Sequence, residues 1–199
     1  MSLTETEIPS DPLELFYEWQ SLIKKDDPFQ GTAMALATAD PDGTPSVRMV
    51  LLKDSDQNGF RFFTNFESRK ARELSRNPRA SLMFWWPAIT RQVRIEGTVT
   101  KVSDTESDEY FSTRPRLSQI STWVSEQSKV IENRRLLSES MDRLIREYGD
   151  GPVPRPEYWG GYRLKHQVVE FWMNRDNRLH DRIQYTREKD SWRIERLAP

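Results

Sequence analysis

What constrains this chain most is a change of period between Ala33 and Val102, where short runs with strand character follow one another with little chain between them. Ala33 to Ala39 is small and apolar, Asp40-Pro41-Asp42-Gly43 is a turn, and Ser46 to Lys53 is a second run, which together make a hairpin. Asp56-Gln57-Asn58-Gly59 turns the chain into Phe60 to Thr64, and Ala80 to Trp85 and Gln92 to Val102 add two more strands. Antiparallel strands joined by turns this short favour a barrel or sandwich over a parallel α/β sheet.

Helical patterns flank and interrupt this core. Asp11-Pro12 offers a cap with proline at the first helical position, and Leu13, Phe16, Trp19, Leu22 and Ile23 then form one apolar stripe over Leu13 to Lys25. Ser68 to Asn77 reads as a helix with Ser68 as its cap and Pro78 as its stop. Ser103 to Ser112 starts on a capped turn, and Arg114-Pro115 breaks the chain before a short helix ending near Trp123. Ser128 to Tyr148 carries a longer amphipathic pattern, closed by Gly149. Pro152, Pro154 and Pro156 stiffen a linker into three further strands, Gln167 to Met173, Arg178 to Tyr185 and Trp192 to Leu197. The expected class is mainly β with flanking helices (α+β). With 199 residues it is one domain over 11–199, preceded by a polar, mobile segment at 1–10.

Composition narrows the chemistry. Thirty Lys and Arg stand against 31 Asp and Glu, so nothing marks a general polyanion binder, and nucleic acid is a poor expectation. The chain has no cysteine, which excludes disulfides and thiolate chemistry and fits a reducing compartment. Two histidines, His166 and His180, do not make a His-rich metal centre, and no metal is expected. No apolar run approaches the roughly 20 residues that span a bilayer, and the polar start lacks the hydrophobic block of a signal peptide, so a cytoplasmic protein without a membrane partner is expected.

Local clusters of cations are therefore where binding chemistry has to come from. In Arg178-Leu179-His180-Asp181-Arg182 an extended backbone would put Arg178, His180 and Arg182 on one face, able to grip a phosphate or a planar anionic ring. A solvated edge strand explains the same pentapeptide. Ser68-Arg69-Lys70 sits at a helix start, where backbone N–H groups and two cations make either a phosphate cradle or a basic surface. Arg48 lies inside an apolar strand and needs a partner, and alternation puts Lys53 on the opposite face unless a bulge intervenes. Tyr110, Arg114 and Ser118 recur every four residues, in a register that Pro115 can break.

Taken in order, these blocks resemble one family. Arg48 to Lys53, Phe62-Phe63-Thr64-Asn65 with Ser68-Arg69-Lys70, Arg91-Gln92-Val93, Ser112 to Pro115 with Ser118-Gln119-Ile120, Trp123-Val124-Ser125 with Gln127-Ser128, Trp159-Gly160-Gly161, Glu170-Phe171-Trp172, Arg178 to Arg182 and the terminal Arg196-Leu197-Ala198-Pro199 are similar to pyridoxamine 5'-phosphate oxidase from about residue 30 onward. The resemblance implies an antiparallel Greek-key FMN-binding split barrel. It implies a homodimer whose two flavin sites lie at the subunit interface, with a C-terminal dimerisation region at about 155–199. It places Arg48, Phe63, Thr64, Arg69, Lys70, Gln92, Gln127, Ser128, Trp172 and Arg182 around FMN, with Arg69 and Lys70 at its phosphate. Lys53, Tyr110, Arg114 and Ser118 would hold the substrate phosphate, and Arg178 and His180 would approach the reacting carbon. The implied reaction oxidises pyridoxamine 5'-phosphate or pyridoxine 5'-phosphate to pyridoxal 5'-phosphate, with dioxygen as acceptor and hydrogen peroxide as product. Phe63 departs from the family's usual tyrosine and removes a hydroxyl worth about 1 kcal/mol of hydrogen bonding. A related flavin oxidase of the phenazine pathway, and a non-catalytic carrier of FMN or pyridoxal phosphate, are the rival readings.

Overall fold

The computed structural model describes residues 3–23 and 29–199. Helix α1, Pro12–Ser21, begins as its sequence dictates: the Asp11 carboxylate accepts from the Leu13 N–H at 2.9 Å, and Pro12 fills the first turn. The helix is shorter than its apolar stripe suggests. It stops at Ser21, Leu22 is left 51% exposed, and the expected end at Lys25 lies outside the described residues.

Nine strands follow: β1 (Ala33–Ala39), β2 (Pro45–Leu51), β3 (Asp54–Asp56), β4 (Gly59–Asn65), β5 (Arg79–Trp86), β6 (Arg91–Lys101), β7 (Trp159–Met173), β8 (Asp181–Glu188) and β9 (Ser191–Arg196). Every pairing among them is antiparallel. The sheet order is β2-β1-β5-β6-β7-β4-β3, so β4 returns beside β7 although β5 follows it in sequence, which is a Greek-key connection. Strand β7 is 15 residues long and serves three partners, β4 at its start, β6 along most of its length, and β8 at its end. Its close approach to β6 depends on Gly97, at a register shift: a Cβ there would stand 2.0 Å from the Lys165 carbonyl oxygen.

Inside the curled sheet, Phe16 and Trp19 of α1 pack on Phe60, Phe84, Trp86 and Phe171, all at most 1% exposed. Each such ring stabilises the fold by roughly 1.5–3 kcal/mol through burial, which makes α1 the plug of the barrel. The segment expected to be mobile, 3–10, lies against the barrel. Leu3 is 4% exposed, the Tyr185 hydroxyl donates to the Pro9 carbonyl at 2.9 Å, and Arg196 pairs with Glu5 at 2.9 Å.

Four further α-helices are α2 (Arg69–Arg76), which packs on β1, and α3 (Asp104–Thr113), α4 (Arg116–Val124) and α5 (Arg135–Tyr148). Helix α3 starts on a reciprocal cap in which Ser103 accepts from the Glu106 N–H and Glu106 accepts from the Ser103 N–H, both at 3.1 Å. Phe111, Ile120, Leu144, Val153 and Trp159 form a second, smaller core shared by α3, α4, α5 and the start of β7. The helix expected from Ser128 begins only at Arg135: Val130 is fully exposed and Ile131 45% exposed, so the first apolar residues of the pattern have no core to pack on, and Ser128 itself is left-handed (φ 72°).

Candidate active site

The first half of the site grows from the end of β4. Asn65 turns the chain, taking the Glu67 N–H on its side chain at 2.6 Å and the Ser68 hydroxyl on its carbonyl at 2.7 Å, and α2 starts immediately beyond. Ser68 therefore occupies the N-cap position without capping the helix by its side chain. Instead the Arg69 N–H donates to Ser128 Oγ at 3.2 Å, so the distant left-handed residue closes this helix end.

Lys70 is the unexpected member of this group for a presumed surface helix, being 7% exposed. Its ammonium donates to Gln127 Oε1 at 2.9 Å, Thr64 Oγ1 at 3.0 Å and Ser68 Oγ at 3.1 Å, using all three of its protons. Burial, reinforced by the Arg48 charge and opposed by Glu73, lowers its pKa to about 8. Arg48 finds the partner that its apolar strand required in Glu73, at 3.2 Å, and also donates to the Leu36 carbonyl at 3.1 Å and to Thr38 and Ser46.

Across the same cavity lie Lys53, Tyr110, Arg114 and Ser118. Pro115 does break the helical register: α3 ends at Thr113, Arg114 is extended (ψ 146°), and α4 begins at Arg116. The break brings the residues together, because the corner turns Arg114 onto the Trp159 ring, 4.6 Å from its centroid, with Nη1 donating to Thr122 Oγ1 at 2.6 Å. Lys53 lies past the end of β2, where strand alternation no longer fixes its direction, and its Nζ stands 5.7 Å from the Tyr110 ring centroid. Phe63 stacks on Tyr110 at 4.0 Å and on Trp159 at 5.5 Å, a parallel set of rings flanked by cations.

One cavity of about 750 Å³ is lined by Arg48, Lys53, Phe63, Thr64, Arg69, Lys70, Tyr110, Arg114, Ser118 and Gln127, ten of the residues singled out from sequence. Its volume is in the range of a pocket for a cofactor with a small substrate. Sequence reasoning missed Glu73 and the Trp159 wall. The i,i+4 spacing marks Glu73 as a partner of Arg69, and gives no sign of its pairing with Arg48.

The remaining candidates stand elsewhere. Gln92, Trp172 and Arg182 are direct partners across β6, β7 and β8, so they form one row on one face of the sheet, and none lines the cavity. Arg182 is held by Glu170 at 2.9 Å, and the His180 ring sits 4.6 Å from that of Trp172. His180 Nδ1 accepts from the Arg175 N–H at 3.2 Å, which leaves the proton of a neutral ring on Nε2. The extended strip from Arg178 to Arg182 is corrected by the structure. Asn177 and Arg178 are left-handed (φ 56° and 62°) within a tight turn, β8 starts only at Asp181, and Arg178 is exposed on the turn rather than aligned with Arg182.

Two family models and many known proteins match this chain. Residues 23–144 match the family model for pyridoxamine 5'-phosphate oxidase, and residues 159–199 match that of the pyridoxine 5'-phosphate oxidase C-terminal dimerisation region. The chain is 49% identical to the pyridoxine/pyridoxamine 5'-phosphate oxidase of Cyanothece sp. (strain PCC 7425 / ATCC 29141), covering 100% of this chain and 93% of that protein. It is 52% identical to the enzyme of the same name from Polynucleobacter asymbioticus, over 99% and 93%. Among solved structures, PhzG from Burkholderia lata 383 in complex with tetrahydrophenazine-1-carboxylic acid superposes with a TM-score of 0.92 at 30% identity, over 100% and 98% of the two chains. A pyridoxamine 5'-phosphate oxidase-related, FMN binding protein from Nostoc punctiforme PCC 73102 shares the fold, with a TM-score of 0.72 at 18% identity over the whole of both chains. With a matching family model over most of its length and relatives near half identity across all of it, the chain belongs to the pyridoxamine 5'-phosphate oxidase family.

Proposed function

We propose that this protein is a cytoplasmic, FMN-dependent oxidase that converts pyridoxamine 5'-phosphate and pyridoxine 5'-phosphate to pyridoxal 5'-phosphate. The observation that carries the reading is the presence of two separate cation groups on one cavity, Arg48, Arg69 and Lys70 on one side and Lys53 and Arg114 on the other. Two phosphorylated ligands bound together require two such groups, and a single anion does not. Among the described residues no helix is long and apolar enough to cross a membrane.

The donor set fits FMN. Arg69 and Lys70 flank the start of α2, where the Ser128 hydroxyl already accepts a backbone N–H, and Thr64 and Gln127 complete a polar wall that would take the flavin phosphate and its side chain. When bound, FMN supplies the chemistry, accepting a hydride from the substrate's exocyclic carbon and passing its electrons to dioxygen to give hydrogen peroxide. The residues of this chain bind and orient. Lys53, Tyr110, Arg114 and Ser118 hold the substrate phosphate, and Arg114 is fixed for that task by Trp159 and Thr122. Burial lowers the Arg114 pKa, and the guanidinium still stays charged at any working pH. With the amine substrate, water must also enter to hydrolyse the imine formed.

Gln92, Trp172, Arg182, Arg178 and His180 complete the site from a second copy of the chain. That division is supported by their separation from the cavity and by the dimerisation region matched over residues 159–199, which holds all of them but Gln92. In this arrangement His180 faces the substrate with Nε2–H as donor, and Arg178 orients the amine or hydroxyl. The purified protein should carry yellow flavin and release peroxide with pyridoxamine 5'-phosphate. Absence of both would sink the reading. The TM-score of 0.92 to PhzG makes a phenazine-type oxidase the second reading, and it predicts binding of tetrahydrophenazine-1-carboxylic acid instead. The phosphate clamp built from Lys53 and Arg114 favours the first.

A further inference from the structure

Among the described residues, Glu73 is the one carboxylate paired with the cation group that lines the cavity, and its surroundings are those of a built part. It is 6% exposed, and burial by itself would raise its pKa. Hydrogen bonds from Ser46, Thr38 and Arg69, with the Arg48 charge, outweigh burial and hold it at about 2. The two oxygens are divided between elements. Oε1 takes Arg69 Nε at 2.8 Å within α2, whereas Oε2 takes Thr38 Oγ1 of β1 at 2.5 Å, Ser46 Oγ of β2 at 2.6 Å and Arg48 Nη2 at 3.2 Å. One carboxylate thus ties the start of α2 to the β1-β2 hairpin through the two arginines that the cavity needs.

The arrangement has a consequence for each arginine. Arg48, Arg69 and Lys70 are like charges converging on one wall, and without a counter-ion they would repel and turn outward. Bonding Arg69 through Nε leaves its paired Nη groups uncommitted among the described residues, on a side chain 58% exposed that lines the cavity. A guanidinium held by Nε presents its fork in a fixed direction, which is the geometry a phosphate selects.

We propose that Glu73 is a positioning residue that offsets the Arg48 charge and aims the Nη pair of Arg69 into the cavity, and that it thereby sets the preference of the site for the phosphorylated flavin over the unphosphorylated one. The inference rests on the reading of this wall as the FMN phosphate site.

The test is equilibrium dialysis of the full-length protein against graded FMN or riboflavin, with occupancy read from flavin fluorescence, for the parent, Glu73→Gln, Glu73→Asp and Lys70→Gln. Glu73→Gln keeps an acceptor for Thr38 or Ser46 but loses the charge and one arginine contact. It is expected to weaken FMN at least about tenfold while changing riboflavin less than about threefold, so that the ratio collapses. Glu73→Asp, which keeps the charge one methylene shorter, is expected to lie between. Equal losses for both flavins would overturn the proposal, since a merely structural glutamate does that. Unchanged or tighter FMN binding would overturn it as well, because charge balance alone would then be the role. If Glu73→Gln does not fold by circular dichroism, the same ratio in Glu73→Asp decides. Lys70→Gln tests the underlying reading by itself: an unaltered FMN to riboflavin ratio there would remove the phosphate from this wall, whatever Glu73 does.

Discussion

A lysine packed to 7% exposure at the start of a helix, with a pKa near 8, must respond to pH within the working range of the enzyme. Below about 8 the ammonium is already present when an anion arrives. Above it, the flavin-free protein must take up a proton on binding, so FMN affinity should fall by up to about tenfold per pH unit above about 8. Titrations from pH 7 to 10 should show this slope in the parent and lose it in Lys70→Gln. The same shift has the opposite sign for stability. The unfolded chain keeps its proton longer, so the flavin-free fold should gain stability as pH rises from about 8 to 10.5. Glu73 works the acid side: its contribution is complete above about 4.5 and is lost as pH falls through about 2. Thermal melts of Glu73→Gln and the parent should therefore converge in strong acid. At this scale the sequence was readable where a charge interrupts an apolar run, as at Arg48, whose need for a partner follows from burial alone. It was unreadable where the partner lies on another element. Nothing local connects Arg48 to Glu73, or Ser128 to the Arg69 N–H, and both pairings exist only because β2, α2 and the 125–134 segment meet in space.

Elements went astray at their ends, and for identifiable reasons. Alternation predicted β8 from Arg178, but the chain leaving β7 has to reverse, and Asn177 and Arg178 supply the left-handed residues for that turn. The reversal leaves Arg178 exposed on the turn and outside the cavity, where the role proposed for it is to orient the substrate. Arg178→Ala should therefore keep its flavin, by absorbance of the purified protein, and lose most turnover with pyridoxine 5'-phosphate; normal turnover would return the turn to a structural role. Gly161, by contrast, matters for what passes over it. A Cβ there would stand 2.6 Å from Val102 Cγ2 and 2.8 Å from the Phe63 ring, the ring that stacks on Tyr110. Gly161→Ala should destabilise the fold by about 1–3 kcal/mol through overpacking. Because Phe63 must shift against Tyr110, KM for the phosphorylated substrate should rise more than the FMN dissociation constant. A denaturant midpoint and a two-ligand titration on the same preparation measure both.

For the whole molecule, the antiparallel barrel was legible because short turns and alternating strands leave few other arrangements, and the capped helices were legible from Asp11-Pro12 and Ser103 with Glu106. The order of strands was not, since the return of β4 beside β7 joins residues some hundred positions apart with no local signal. The least legible property is that the candidate residues fall into two separate groups. Ten candidates meet in one cavity, while Gln92, Trp172 and Arg182 form a row on the sheet outside it, and sequence order gives no hint of which half a residue joins. A divided site makes a prediction that depends on assembly alone. Lys70→Ala damages the cavity half and Arg182→Ala damages the row, so each homodimer carries one lesion in both of its sites. If the halves come from different copies, a mixed dimer isolated through two affinity tags concentrates both lesions in one site and leaves the other intact. It should then recover about half of the parent's peroxide-forming activity per dimer. If each copy builds its own site, every site in the mixed dimer still bears one lesion, and activity stays at the level of the damaged homodimers. Light scattering on the same samples fixes the dimer as the active species, and a fully active monomer would end the proposal of a shared site.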